Sequence, residues 1–256
     1  MFVACSTLCF AREPLEAALH QIAELEFDKF ELALVESGQH LRPSEVGDNP
    51  EAALQRLRQG PSLIPSSLHI DFASPDSADL LSRKRFDGLC RFAKSLSIAV
   101  LTMRAAPAGT PVADEVRRLG PLVSSAMCEG LVLALLTHAD ALTGDPQIAA
   151  ELCGALPGLG LTLDPSHYLQ NPTPNVDYDI VFPFVQNVHL RDTGVGPGDF
   201  QVRVGQGQIE YARIVQMLQR HGYDRALTVA IVDREGNPFD REVEVRKLKL
   251  LLETLI

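Results

Sequence analysis

With 256 residues, 46% of them hydrophobic and 22% charged, the chain has the size of one large domain or two small ones and the composition of an ordinary globular protein, which excludes a disordered or fibrous chain. Its 23 basic against 33 acidic residues leave a formal charge of −10, and short basic clusters such as Arg83-Lys84-Arg85 read as solvated helix surface, so no nucleic-acid partner is expected. The longest uninterrupted apolar run, Leu131 to Leu136, falls far short of the ~18 residues that a membrane span requires, so no membrane partner is expected either.

From the start of the chain, Met1 to Phe10 is apolar but has neither a basic leader nor a small-residue cleavage site, and it reads as a strand in a cytoplasmic protein. β-branched or aromatic runs then recur, and the predicted strands lie near Phe2–Ser6, Lys29–Leu34, Ser66–Asp71, Ile98–Met103, Leu131–Leu136, Gly160–Asp164, Gln186–Leu190 and Ala226–Ile231. Helical patterns separate them near residues 13–25, 50–59, 77–95, 111–128, 146–155, 175–183 and 208–221, and a last one lies near 238–255. Asp145-Pro146, and Asp76-Ser77 ahead of Ala78, supply polar caps or an early proline for two of them. The last helix carries Val243, Leu248, Leu251, Leu252 and Leu255, an apolar stripe expected to face a sheet.

Eight strand–helix repeats at about 32 residues each match the size of a βα unit, and eight such units close into a barrel. An open doubly wound sheet would expect a glycine-rich turn after the first strand, where the sequence reads Ser6-Thr7-Leu8-Cys9-Phe10. No linker or composition shift divides the chain. The expected fold is therefore a single (β/α)8 TIM barrel over residues 1–256. The cysteines (5, 9, 90, 128 and 153) are odd in number and lack C-x-x-C spacing, as reduced packing residues would.

In such a barrel, chemistry belongs to the C-terminal ends of the strands. The predicted strands deliver Ser6, Glu31 with Glu36 beyond it, His69 and Asp71, Arg104, His138, Asp164 and His167, His189 and Arg191, and Asp233. Four of the seven histidines (69, 138, 167 and 189) fall at this rim. His189 and Arg191 are two apart and share a face. Arg104 and Arg191 suit a carboxylate, a phosphate or a sugar hydroxyl. Two glycine segments stay open to more than one reading. Gly194 to Gly198 is a lid or a plain connecting loop, and Gly205-Gln206-Gly207-Gln208 either presents backbone N–H groups to an anion or simply turns. Phe10, Phe72 and Tyr168 follow predicted strands and either line the pocket or pack in the core.

Four segments carry a family resemblance: Glu24 to Leu32 (ELEFDKFEL), Leu163 to His167 (LDPSH), Asn187 to Asp192 (NVHLRD) and Val204 to Tyr211 (VGQGQIEY). In this order the sequence resembles the xylose isomerase-like TIM barrels, the sugar phosphate isomerase/epimerase superfamily that also contains the endonuclease IV type of AP endonuclease. The resemblance implies one divalent ion held by two glutamates, an aspartate and a histidine, with the glutamates also serving as the acid/base pair. The aspartate and histidine positions carry Asp164 and His189. The strand-five and strand-eight glutamate positions carry Leu136 and Ala230, which can neither take up a proton nor ligate a hard cation. The resemblance therefore implies a small sugar- or polyol-like ligand at the barrel mouth, with the standard metal-dependent isomerisation lost or altered.

Two further readings stand beside that one. In the first, an active isomerase or epimerase, His138 joins Asp164, His167 and His189 in a rearranged site better suited to Zn²⁺ or Fe²⁺ than to Mg²⁺; the candidate divalent ions are Mn²⁺, Zn²⁺ and Mg²⁺, and, separately, Glu31 or Asp233 is a base from another strand. In the second, the barrel is a non-catalytic scaffold or regulatory partner. The candidate set comprises His69, His138, His167, Arg191 and Glu31 for catalysis, Arg104, His167 and Arg191 for ligand binding, and Asp164 and His189, with His138, for a metal. The oligomeric state is open.

Overall fold

The computed structural model describes residues 1–72, 83–170, 176–196 and 199–256. Eight strands pair in parallel and in sequence order: β1 (Phe2–Ser6), β2 (Lys29–Val35), β3 (Ile64–Asp71), β4 (Val100–Arg104), β5 (Val132–Leu136), β6 (Leu159–Leu163), β7 (Val185–Leu190) and β8 (Ala226–Val229). β8 pairs with β1 from Phe2↔Ala226 to Cys5↔Val229 and closes the barrel. Helices α1 (Leu15–Glu24), α2 (Pro43–Asp48), α3 (Pro50–Leu57), α4 (Arg83–Ser95), α5 (Val112–Cys128), α6 (Pro146–Ala155), α7 (Pro165–Leu169), α8 (Tyr211–Arg220) and α9 (Arg241–Glu253) fill the connections. None of the described helices is long and apolar enough to cross a membrane.

Local chemistry sets several of these boundaries. Asp145 accepts from the backbone N–H groups of Gln147 and Ile148 and Pro146 opens α6, as the sequence predicts. The capping run Asp76-Ser77 lies outside the described residues. The helix expected near 175–183 is instead a 3₁₀ run, Asp179–Phe184. Pro183 lies inside it, and a proline there can neither donate to the carbonyl four residues back nor pack beside it. The apolar stripe of α9 is also corrected. Val245, Leu248 and Leu252 are buried and follow 3- and 4-residue spacing, whereas Val243 lies off that face and is 46% exposed.

Strand alternation divides the core in two. Cys5, Leu32, Leu34, Leu68, Leu133, Leu161, Val188 and Leu227 point outward into one apolar cluster shared with the helices. The opposite parity points into the barrel, and there the residues are largely polar and still fully enclosed: Ser6, Glu31 and Ser67 on one side, Thr102, Thr162, Asn187 and Thr228 on the other. Ala134 on β5 leaves room for Thr102 and Thr162 to meet across it, with hydroxyl oxygens 2.7 Å apart. A TIM barrel interior is more usually filled by branched apolar side chains. This one is a polar column leading to the mouth.

Candidate functional site

The column has two levels. At the lower one, the Glu31 carboxylate is fully enclosed and accepts hydrogen bonds from Ser6 Oγ (3.0 Å), Ser67 Oγ (2.9 Å) and Asn187 Nδ2 (2.9 Å). Nε2 of His189 lies 2.9 Å from both carboxylate oxygens. Burial alone would raise the Glu31 carboxyl, but the charge and hydrogen bond of His189, with His69 and Ser67, hold it at about 2. His69, on β3, completes the group, its ring centroid 5.6 Å from that of His189. Burial pushes its imidazole down to about 4, and its Nδ1 is enclosed without a hydrogen-bond partner.

At the upper level the side chain of Arg191, only 5% exposed, spans three elements. It pairs through Nη2 with Asp164 Oδ2, donates from Nε to Ser166 Oγ (3.0 Å) and from Nη1 to the Ala230 carbonyl (3.2 Å). The other carboxylate oxygen of Asp164 caps α7, accepting from Ser166 N at 3.1 Å and from the Ser166 hydroxyl. Burial would raise the Asp164 carboxyl, yet the Arg191 guanidinium, with His167 and His189, holds it below its ordinary value. Both oxygens of Asp164 are thus engaged by the protein itself.

His138 and His167 lie beside this pair with ring centroids 4.0 Å apart and their planes tilted by 37°. Nδ1 of His167 accepts from Ala139 N (3.3 Å) and Nδ1 of His138 from Asp140 N (3.2 Å). Each ring, when neutral, therefore carries its proton on Nε2. Burial lowers both, His138 to about 4 and His167 to about 2, with Arg104 and Arg191 adding to the effect on each. Phe200 covers the group, its ring 4.7 Å from that of His167 and 4.5 Å from the Arg191 guanidinium, with Arg234 5.4 Å away.

The sequence-predicted rim residues thus fall into separate places. Glu31, His69 and His189 form one group, and Asp164, His167, Arg191 and His138 form another. Arg104, at the end of β4, is exposed, and its charge acts on His69, His138 and His167. Asp233 turns away from both groups and binds Arg12 (3.0 Å) and Arg241 (2.7 Å). Glu36 accepts from Ser44 N (3.1 Å) at the start of α2. Phe10 is buried in the apolar core, and Tyr168 is buried with its hydroxyl donating to Thr143 O (3.2 Å). The N–H groups of Gly205 (2.7 Å) and Gly207 (3.0 Å) both go to Asp192 Oδ2, so this loop serves an internal carboxylate. In the Gly194–Gly198 segment, Gly194 N bonds to Asp199 O and Gly196 N to the Asp199 carboxylate, and residues 197–198 lie outside the described residues. Phe200, Arg234, Ser67 and Asn187 escape the sequence reading. Ser67 and Asn187 had a signal in their parity, two residues before His69 and His189, whereas Phe200 and Arg234 sit in loops where no period marks a contact.

A divalent ion at the position implied by the resemblance does not fit these residues. Leu136 and Ala230 face the barrel without ligand atoms, Asp164 is saturated by Ser166 and Arg191, and a fixed positive charge already stands beside it. Among the described residues, one group of ligand-bearing side chains does converge. Glu31, His69 and His189 each offer one ligand atom, all within 4.8 Å of one another.

Comparison with known proteins agrees with this architecture. A D-tagatose 3-epimerase-like protein matches with a TM-score of 0.74 at 19% identity, covering 100% of this chain and 98% of its own. A xylose isomerase-like TIM barrel protein from Mycobacterium smegmatis in complex with magnesium matches at 0.76 and 15% identity, covering 99% and 97%. The IOLI protein with a bound zinc atom matches at 0.73 and 17%, covering 100% and 98%. At such identities these likenesses speak to the fold. No curated protein sequence matches the chain. The family model for the xylose isomerase-like TIM barrel matches residues 19–253, nearly the whole of the closed eight-stranded structure, and the chain belongs to that family.

Proposed function

We propose that this protein binds a small sugar- or polyol-like molecule at the C-terminal mouth of its barrel, and that the metal-dependent isomerisation implied by the resemblance is lost. The observation that carries this reading is the seat of Arg191: its guanidinium joins Asp164 to the Ala230 carbonyl, beside the positions where two glutamates would stand. A fixed guanidinium gives hydroxyl or carbonyl oxygens a positive charge and directional donors, without the exchangeable coordination positions of a metal ion. Nε2 of His138, Nε2 of His167 and the Arg104 guanidinium add donors, and Phe200 adds an apolar wall, the mixture that small-molecule pockets use. A rearranged metal site on His138, Asp164, His167 and His189 is disfavoured, because Nδ1 of both His138 and His167 and both Asp164 oxygens already hold protein partners. The five cysteines are free, in keeping with a cytoplasmic chain.

Thermal denaturation against ketoses, aldoses, polyols and sugar acids tests the binding. A ligand at 100 times its Kd stabilises the folded state by about 2.7 kcal/mol. At least one class should raise Tm, and Arg104→Ala and His167→Ala should each weaken that ligand about tenfold or more, a loss of ~1.4 kcal/mol. A flat response across the panel would support the scaffold reading instead. Proton–deuterium exchange at the carbon-bound hydrogens of the sugar, followed by mass spectrometry with Mn²⁺ added, tests the lost chemistry. Catalysed exchange would show that it persists.

A further inference from the structure

Glu31 is an enclosed carboxylate that, among the described residues, has no arginine or lysine partner. Its other donors, two serine hydroxyls and the Asn187 amide, are neutral, so the compensating positive charge that a buried anion needs falls to the imidazole side, where His189 lies 2.9 Å away. Beside it stands His69, 4% exposed, with a buried Nδ1 that no group satisfies. A divalent ion among Glu31, His69 and His189 would take the place of the His189 proton as that charge and bring in His69 as a second imidazole ligand.

From these two observations we infer that Glu31, His69 and His189 form a site for a divalent transition-metal ion of the Zn²⁺ class, set on β2, β3 and β7. Donor atoms at about 2.0–2.1 Å from one ion stand roughly 2.9–3.4 Å apart across octahedral or tetrahedral angles. Glu31 and His189, at 2.9 Å, already have the spacing of one such edge, and the ligand atom of His69 lies within 4.8 Å of both. Two imidazole nitrogens and one carboxylate oxygen favour Zn²⁺, Co²⁺ or Fe²⁺ over Mg²⁺ and Ca²⁺, which take oxygen ligands. Ser6, Ser67 and Asn187 hold the carboxylate in place, and Asn187 Oδ1 accepts in turn from Thr228 Oγ1 (3.4 Å), the kind of outer support that orients metal ligands. This site shares only His189 with the position implied by the resemblance, and it does not depend on what binds at the mouth.

Addition of Co²⁺ to metal-stripped protein tests the assignment, since a protein-bound ion with nitrogen ligands shows visible d–d absorption. Wild type should take up one Co²⁺ per chain, displaced by Zn²⁺. The paired variant Asp164→Asn/Arg191→Met, which removes both charges of the neighbouring ion pair together, should keep that spectrum. His69→Gln should lower Co²⁺ affinity about 100-fold or more, as should His69→Leu. Neither breaks a hydrogen bond at Nδ1, and circular dichroism checks that both fold. The assignment is overturned if wild type takes up no stoichiometric ion. It also fails if both His69 variants bind as wild type does, or if uptake vanishes in the Asp164/Arg191 variant while persisting in His69→Gln.

Discussion

Arg191 and Asp164 show how two charges come to be tolerated where water does not reach. Each is nearly enclosed, each is hydrogen-bonded beyond its partner, and removal of one would strand the other. Arg191→Met should therefore cost about 3–5 kcal/mol, the usual penalty for leaving a buried charge unpaired. Asp164→Asn combined with Arg191→Met should recover most of that loss, because no charge is then left behind. Chemical denaturation of the two single variants and the pair measures the coupling, and simple additivity would mean that the ion pair is not what holds Arg191 in place. At this scale the sequence shows Asp164, His189 and Arg191 as rim residues, because alternation and the LDPSH and NVHLRD segments mark them. It does not show that Arg191 reaches Asp164 on the neighbouring strand, or that Glu31 meets His189 across the barrel. Parity says which way a side chain points, whereas depth depends on register between strands far apart in sequence, here with a shift between Phe30 and Glu31.

Among the elements, the strands are legible to within two residues at each end, β1 fully so, because β-branched runs bounded by turn residues carry a strong signal. The short helices are not. α2 has six residues and α7 five, too few to show a period, and the 3₁₀ run before β7 lacks the helical pattern's hydrogen bonding. The loop after β7 shows a different limit. Its two glycines suggest either an anion cradle or a turn, and the structure fills it with Asp192 from the same chain. Gly205 has φ +88°, a conformation that suits glycine, and a Cβ on Gly207 would stand 2.0 Å from Asp192 Oδ1. Gly207→Ala should therefore expel the carboxylate and cost about 1–3 kcal/mol, as overpacking does elsewhere. Urea midpoints would measure it, and a neutral result would mean that the loop can shift without losing Asp192.

Over the whole molecule, the barrel follows from eight repeats of one length, whereas the polar column inside it had only a partial signal in the strand sequences. Thr102 and Thr162 each read as one polar residue in an apolar run, Ser67 and Asn187 each follow another polar residue, and only closure of β8 on β1 brings the four together. That enclosed column makes stability depend on pH. In the unfolded chain a histidine titrates near 6.5. In the folded state burial holds His138 at about 4 and His167 at about 2. Between these values the unfolded chain binds more protons, so stability rises with pH, is fully present above about 6.5, and is lost as pH falls towards 4. Each imidazole contributes a slope of up to about 1.4 kcal/mol per pH unit within its window. His69, also lowered to about 4, acts in the same direction. Glu31 and Asp164, held low, add their own loss only below the ordinary carboxylate range, so pH 5 to 6.5 isolates the imidazoles. Urea denaturation across that interval should show wild type weakening on acidification, and His138→Gln with His167→Gln weakening distinctly less. Equal slopes would mean that the two rings regain solvent, or a proton, before the barrel opens.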